Sequence, residues 1–156
     1  MALLYTTEYG NHTAQRTVVL LSSIATTHEA WDAQIPALAE TYRVITVDHR
    51  GHGSSGTPAE GPDGVETLAR DVLAALDECG VDRFDVVGLS LGGAIAQWLA
   101  AHSGRVDRAV FAATATFLGG AEKWEERTAT ARRDGTGALA DGLVENWFTP
   151  AYRRDH

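Results

Sequence analysis

Short apolar runs alternate along this chain with longer stretches in which apolar residues recur every three or four positions. The runs at 17–21, 42–47, 84–89 and 106–112 are rich in Val, Ile, Leu and Phe and read as strands, the first a compact buried one. Residues 2–9 read as a short edge strand, followed by a polar turn at 10–15. Residues 65–79 carry the clearest helical period, with Val65, Leu68, Ala69, Val72, Leu73 and Leu76 on one face. Asp71 and Asp77 fall on other faces, and Gly80 supplies the stop. A second helix is expected over 29–40, with Trp31, Ile35, Leu38 and Ala39 inward and a kink or break at Pro36. A third follows residue 90 and ends near His102. Strands alternate with helices through Ala112, which predicts an α/β fold: a mostly parallel sheet with flanking helices.

Beyond residue 120 the pattern changes. A charged helix containing Trp124, Arg127, Arg132 and Arg133 is interrupted at 134–137, and a second helix runs over 138–147 with Leu139, Leu143 and Val144 on one side. Residues 148–152 close that helix. The chain is therefore expected to divide into a core at 1–120 and a helical lid segment at 121–156.

A length of 156 residues is enough for one hydrophobic core. The net charge of −8 leaves no basic patch for nucleic acid or an acidic membrane surface. Cys79 is the only cysteine, so no internal disulfide can form, which fits a cytoplasmic setting. The first residues show neither a basic start nor a long apolar stretch. Nothing in the sequence calls for a cofactor.

The candidate chemistry lies at Gly88-Leu89-Ser90-Leu91-Gly92, a G-x-S-x-G pattern between a predicted strand and a predicted helix. That context is the one a nucleophile elbow requires, with Ser90 at the apex of a strained turn. Gly88 and Gly92 lack a Cβ, so strand and helix can approach closely. The helix directs its free N–H groups and positive dipole end at the same place. A Gly-rich turn that merely packs is the plainer alternative. His49 and His52, three residues apart on a loop, suggest zinc, but no further ligands at suitable spacing complete a tetrahedral set. Asp48 and Arg50 are expected to brace that loop by hydrogen bonding.

The ordered set of Val18 to Leu21, the loop at Ser22, the Asp48-x-Arg50-Gly51-x-Gly53-x-Ser55 loop and the Ser90 elbow resembles the α/β-hydrolase superfamily over about residues 17–118. Within it the chain looks most like 3-oxoadipate enol-lactonases, on two stretches. One is Leu21-Ser22-Ser23-Ile24 with Trp31-Asp32-Ala33-Gln34; the other is Trp124, Arg127 and Trp147-Phe148-Thr149-Pro150-Ala151-Tyr152. The chain departs from those relatives at Ser22 and Ala25, where Asn and Gly are expected. The resemblance implies Ser90 as nucleophile and the backbone N–H groups of Ile24 and Leu91 as oxyanion donors. It implies Trp124, Arg127 and Trp147 as substrate contacts, with Arg132 and Arg133 as further candidates for a substrate carboxylate. The substrate would be a small lactone or ester; carboxylesterase, C–C bond hydrolase and non-catalytic ligand binding remain open alternatives.

A serine hydroxyl needs a general base, and the family order is Ser, acid, His. After Ser90 only His102 and His156 follow, and neither sits where the family holds its base. The position after the 106–112 strand is Ala113-Thr114, without a carboxylate. The residues are thus expected to be the N-terminal part of a longer enzyme, with the C-terminal strands of the fold outside this chain. The 106–112 strand would then be an open edge through which two copies can pair.

Overall fold

The computed structural model describes residues 4–57 and 64–155. The start of the expected edge strand, nearly all of the 58–64 loop and His156 lie outside the described residues. Two compact units are present, Met1–Thr116 and Phe117–His156.

The first unit holds a five-stranded sheet. Its strands are β1 (Thr6–Gly10), β2 (Thr17–Leu21), β3 (Arg43–Val47), β4 (Phe84–Leu89) and β5 (Val106–Ala112), in spatial order β1-β3-β2-β4-β5. The β2–β3, β2–β4 and β4–β5 pairs are parallel, and β1 joins β3 antiparallel. All five residues of β2 are buried, as befits a central strand covered on both faces. Its alternating side chains go to two cores. Val19 and Leu21 join Ile45, Val47 and Val86 with α2 (Val65–Glu78) and α3 (Leu91–His102), through Val72, Leu76, Ile95 and Leu99. Val18 and Leu20 join Val44 with Trp31 and Ile35.

Two expectations need correction. The segment 29–40 is not one kinked helix but a 3-10 turn (His28–Trp31) and a short helix, α1 (Ile35–Ala39). Pro36 does not break a helix; it lies in the first turn of α1, where its missing N–H has no intrahelical partner to lose. Asp71 does not face away from the core: it is buried and takes Arg50 Nε–H at 2.6 Å. A buried carboxylate is tolerable because the guanidinium accompanies it. That pair ties α2 to the loop after β3. On the sheet's far edge Arg43 makes a bidentate pair with Glu8, at 2.9 and 2.8 Å, and holds that carboxyl below its usual range.

The second unit contains α4 (Ala121–Asp134), a 3-10 turn (Thr136–Leu139), α5 (Ala140–Trp147) and α6 (Pro150–Asp155). Gly135, at φ 84, ends α4. Helix α6 was not expected. Pro150 starts it instead of ending the structure, and Thr149 Oγ1 accepts the Tyr152 N–H at 3.2 Å. No helix among the described residues is long and apolar enough to cross a membrane.

Candidate active site

The strand order reverses between β2 and β4: the chain proceeds from β2 outward to β3, then returns past β2 to β4. In open α/β sheets the crevice beyond the carboxyl ends of strands at such a point is the usual ligand site. The loops that leave β2 and β4 here carry Ile24 and Ser90.

Ser90 stands between β4 and α3 at φ 53, ψ −109, a conformation that L-residues rarely adopt. Three contacts hold it. Its N–H donates to Ala112 O at 2.9 Å, and its carbonyl accepts Thr114 Oγ1–H at 2.8 Å and Ala94 N–H at 3.0 Å. Its side chain is half-buried, and its hydroxyl bonds to none of the described residues. The turn is possible only because its flanks lack side chains. A Cβ on Gly88 would lie 2.2 Å from Gly92 O, and one on Gly92 would lie 2.1 Å from Leu21 O. Helix α3 therefore starts hard against the ends of β2 and β4, and no acidic residue in its first turn offsets its positive end.

The loop after β2 is tied to this helix start. Gly92 N–H donates to Ser22 O at 3.0 Å. Ser22 Oγ–H reaches Thr27 O at 3.0 Å, and Thr26 Oγ1–H reaches Ser23 O at 2.9 Å. Ala25 follows at φ 61. Among the described residues, the N–H groups of Ile24 and Leu91 donate to no protein acceptor. Among the described residues, the non-glycine residues at positive φ are Ala25, Ser90 and Ala113, all in segments that follow the carboxyl ends of strands. Backbone strain concentrated at one end of a sheet marks a functional region more often than chance.

The loop after β3 supports the same region. Asp48 is buried and accepts His28 N–H at 2.7 Å, the His28 ring at 3.1 Å and Ser54 N–H at 3.1 Å. Burial pushes its carboxyl up, but these donors outweigh burial and hold it below the ordinary value. His49 is fully buried and its Nε2–H donates to Ser22 O at 3.0 Å, since a carbonyl can only accept. His52 half-buries beside it, with ring centroids 6.1 Å apart. Both imidazoles are thus committed to backbone partners. Among the described residues, no three His, Cys, Asp or Glu side chains come together as a metal site. The role of these histidines was not foreseen; the D-x-R-G-x-G pattern marks the loop but not what its variable positions touch.

Burial lowers the His49 pKa from 6.5 to about 4. The unfolded chain therefore binds a proton between those values that the folded chain refuses. Stability is complete above pH 6.5 and falls as pH drops toward 4, by about 3 kcal/mol in total. The depressed carboxyls of Glu8 and Asp48 begin to add their losses at the lower end of this window, as pH falls through their unfolded values of 4.5 and 3.8. Urea unfolding at pH 7 and pH 4.5 is expected to show the decline, and His49→Gln is expected to flatten it. An unchanged slope in that variant would assign the decline elsewhere.

Of the remaining sequence candidates, His102 caps the far end of α3, with Nδ1 on Trp98 O at 2.9 Å and its ring stacked on Trp98. In the second unit, the Arg127 guanidinium lies over the Trp124 ring at 5.4 Å, Trp147 is exposed, and Arg133 pairs with Asp134 at 2.7 Å. Arg132 is exposed.

A serine held in a strained strand-to-helix turn at the switch point of a mostly parallel sheet defines a nucleophile-elbow architecture. The chain belongs to the alpha/beta hydrolase fold family, whose model matches residues 16–141. It is 36% identical over 139 residues to 3-oxoadipate enol-lactonase 2 of Acinetobacter baylyi, covering 88% of this chain and 52% of that protein. The crystal structure of the enol-lactonase from Burkholderia xenovorans LB400 superposes with a TM-score of 0.93 at 36% identity, covering 99% of this chain and 60% of that one. A putative carbamate hydrolase, RutD, of Rhizobium rhizogenes is 39% identical over 80 residues, 51% of this chain and 30% of that protein. The chain spans about half the length of the curated enol-lactonases it matches.

Proposed function

We propose that this chain carries the nucleophile and oxyanion donors of a serine-dependent hydrolase that opens a small enol-lactone, with 3-oxoadipate enol-lactone as the favoured substrate. The observation that carries the reading is the pairing of a strained Ser90 with two N–H groups, of Ile24 and Leu91, that lack protein acceptors. The relatives named above favour a lactone over other acyl substrates.

In this reading Ser90 Oγ attacks the lactone carbonyl. The oxyanion that forms accepts hydrogen bonds from Leu91 and Ile24 N–H, each worth about 3 kcal/mol in the transition state. The ring oxygen leaves as an enolate, which takes a proton and tautomerises to a ketone, making opening effectively one-way. Water then releases the acid from Ser90. No general base or carboxylate partner for Ser90 is assigned among the described residues. Trp124, Arg127 and Trp147 are the residues assigned to substrate contact in this reading, with Arg127 suited to a substrate carboxylate. Aromatic-compound breakdown in the cytoplasm is the setting this substrate implies.

A second reading keeps the site and changes the bond, on the strength of the carbamate-hydrolase match. Loss of enol-lactone absorbance, measured against a nitrophenyl ester and a carbamate with the same protein, decides between them. Turnover of the ester or carbamate alone would overturn the lactone assignment.

Strand β5 bears on partners. It pairs only with β4 among the described residues, and Val110 and Phe111 on it are 55% and 46% exposed. A long edge with apolar side chains invites strand addition. The 156-residue chain is expected to dimerise through it. Light scattering at high concentration should show a dimer that Phe111→Lys weakens; a monomer throughout would refute this edge as an interface.

A further inference from the structure

The loop that carries Ile24 has two ties to the loop after β3, the His49 bond to Ser22 O described above and a second at Ala25. Ala25 N–H donates to His52 Nε2 at 3.0 Å, across 27 positions of sequence. His52 is oriented for this by its other nitrogen, Nδ1, which lies 3.0 Å from Arg50 O. A carbonyl only accepts, so Nδ1 carries the proton and Nε2 presents its lone pair to Ala25. Arg50 in turn is anchored to buried Asp71. A line of contacts thus runs from α2 through the β3 loop to the peptide between Ile24 and Ala25.

That peptide plane is the one that matters. Ala25 sits at φ 61, where an alanine gains nothing from its side chain. Something outside the residue must hold it there, and the Ala25 N–H bond is the contact on that plane. The Ile24 N–H lies in the preceding Ser23–Ile24 peptide, whose carbonyl accepts Thr26 Oγ1–H at 2.9 Å; the two planes meet at Ile24 Cα, so His52 restrains one side of Ile24 while Thr26 restrains the other.

We infer that His52 is a positioning residue, whose Nε2 lone pair fixes the Ile24–Ala25 peptide and so, together with the Thr26 contact to Ser23 O, keeps the Ile24 backbone in the conformation that presents its N–H as an oxyanion donor. This rests on the oxyanion role proposed above for Ile24. His52 itself touches no reacting atom.

Two replacements separate this role from general support of the loop. Glutamine can place an acceptor oxygen near the position of Nε2, whereas asparagine reaches only that of Nδ1. In the 156-residue chain, the Ala25 amide is expected to be protected from hydrogen exchange in the wild type and in His52→Gln. In His52→Asn it should lose protection, and the Ile24 amide resonance should move. Fluorophosphonate labelling of Ser90 is expected to slow about tenfold or more in His52→Asn and to recover in His52→Gln. Equal protection of Ala25 in all three proteins would overturn the inference, as would a shifted Ile24 amide in His52→Asn with labelling unchanged. If the wild-type chain, in which no general base is assigned, does not label, the two amide signals alone decide whether His52 sets this peptide.

Discussion

Ser90→Ala is expected to abolish labelling by a fluorophosphonate while leaving the unfolding temperature unchanged or slightly raised. The two halves of this expectation have separate causes. The hydroxyl bonds to no described residue, so its removal breaks no contact. The backbone bonds that hold the turn, from Ser90 N–H to Ala112 O and from Thr114 Oγ1–H to Ser90 O, do not involve it. The strained φ of 53 is open to alanine, since Ala25 and Ala113 already occupy positive φ in this chain. Reactivity, in contrast, rests on that one oxygen. Where the nucleophile of a serine hydrolase is deleted, the residual rate enhancement falls by several orders of magnitude. Intact-mass spectrometry of the labelled chain is the measurement. Stoichiometric adduct on the Ser90→Ala protein would move the reactive group to another residue and dismantle the proposed mechanism.

Much of this region was legible before any coordinates. The strands at 17–21, 84–89 and 106–112 occupy the positions that their apolar runs indicate; the first is buried throughout, where a parallel strand covered on both faces leaves little room for polar residues. Helix α2 was plain from its periodicity, and the elbow from a motif with the right flanks. What escaped was decided by tertiary contact. The helical spacing around Trp31 and Ile35 is real, but both side chains reach one core from two short pieces. Asp71 looked like a solvent residue because its burial depends on Arg50, which is twenty-one positions away. The links from His49 and His52 to the Ser22–Ala25 loop each span twenty-seven positions and leave no periodic trace. Side chain-to-backbone bonds of that kind can be read only once the sheet has brought the two loops to one end.

Gly92→Ala is expected to be among the most damaging single-methyl changes in the chain. Its Cβ would lie 2.1 Å from Leu21 O, 2.5 Å from Leu21 C and 2.7 Å from Ser22 O. These are backbone atoms of the fully buried strand β2 and its exit, which cannot rotate aside as a side-chain tip can. Relief requires α3 to move away from β2, which stretches the bond from Gly92 N–H to Ser22 O and displaces the loop bearing Ile24. A loss of about 3 kcal/mol or more is expected, at the severe end for added volume. Gly80→Ala provides the comparison. It forces a side chain onto strained backbone, at φ 67, and meets nothing within 4 Å. Its cost is the conformational penalty alone, about 1 kcal/mol. Urea denaturation of both variants measures the difference. If Gly92→Ala cost no more than Gly80→Ala, β2 and α3 would not be in the contact described, and the tie between α3 and the loop bearing Ile24 would be lost with it.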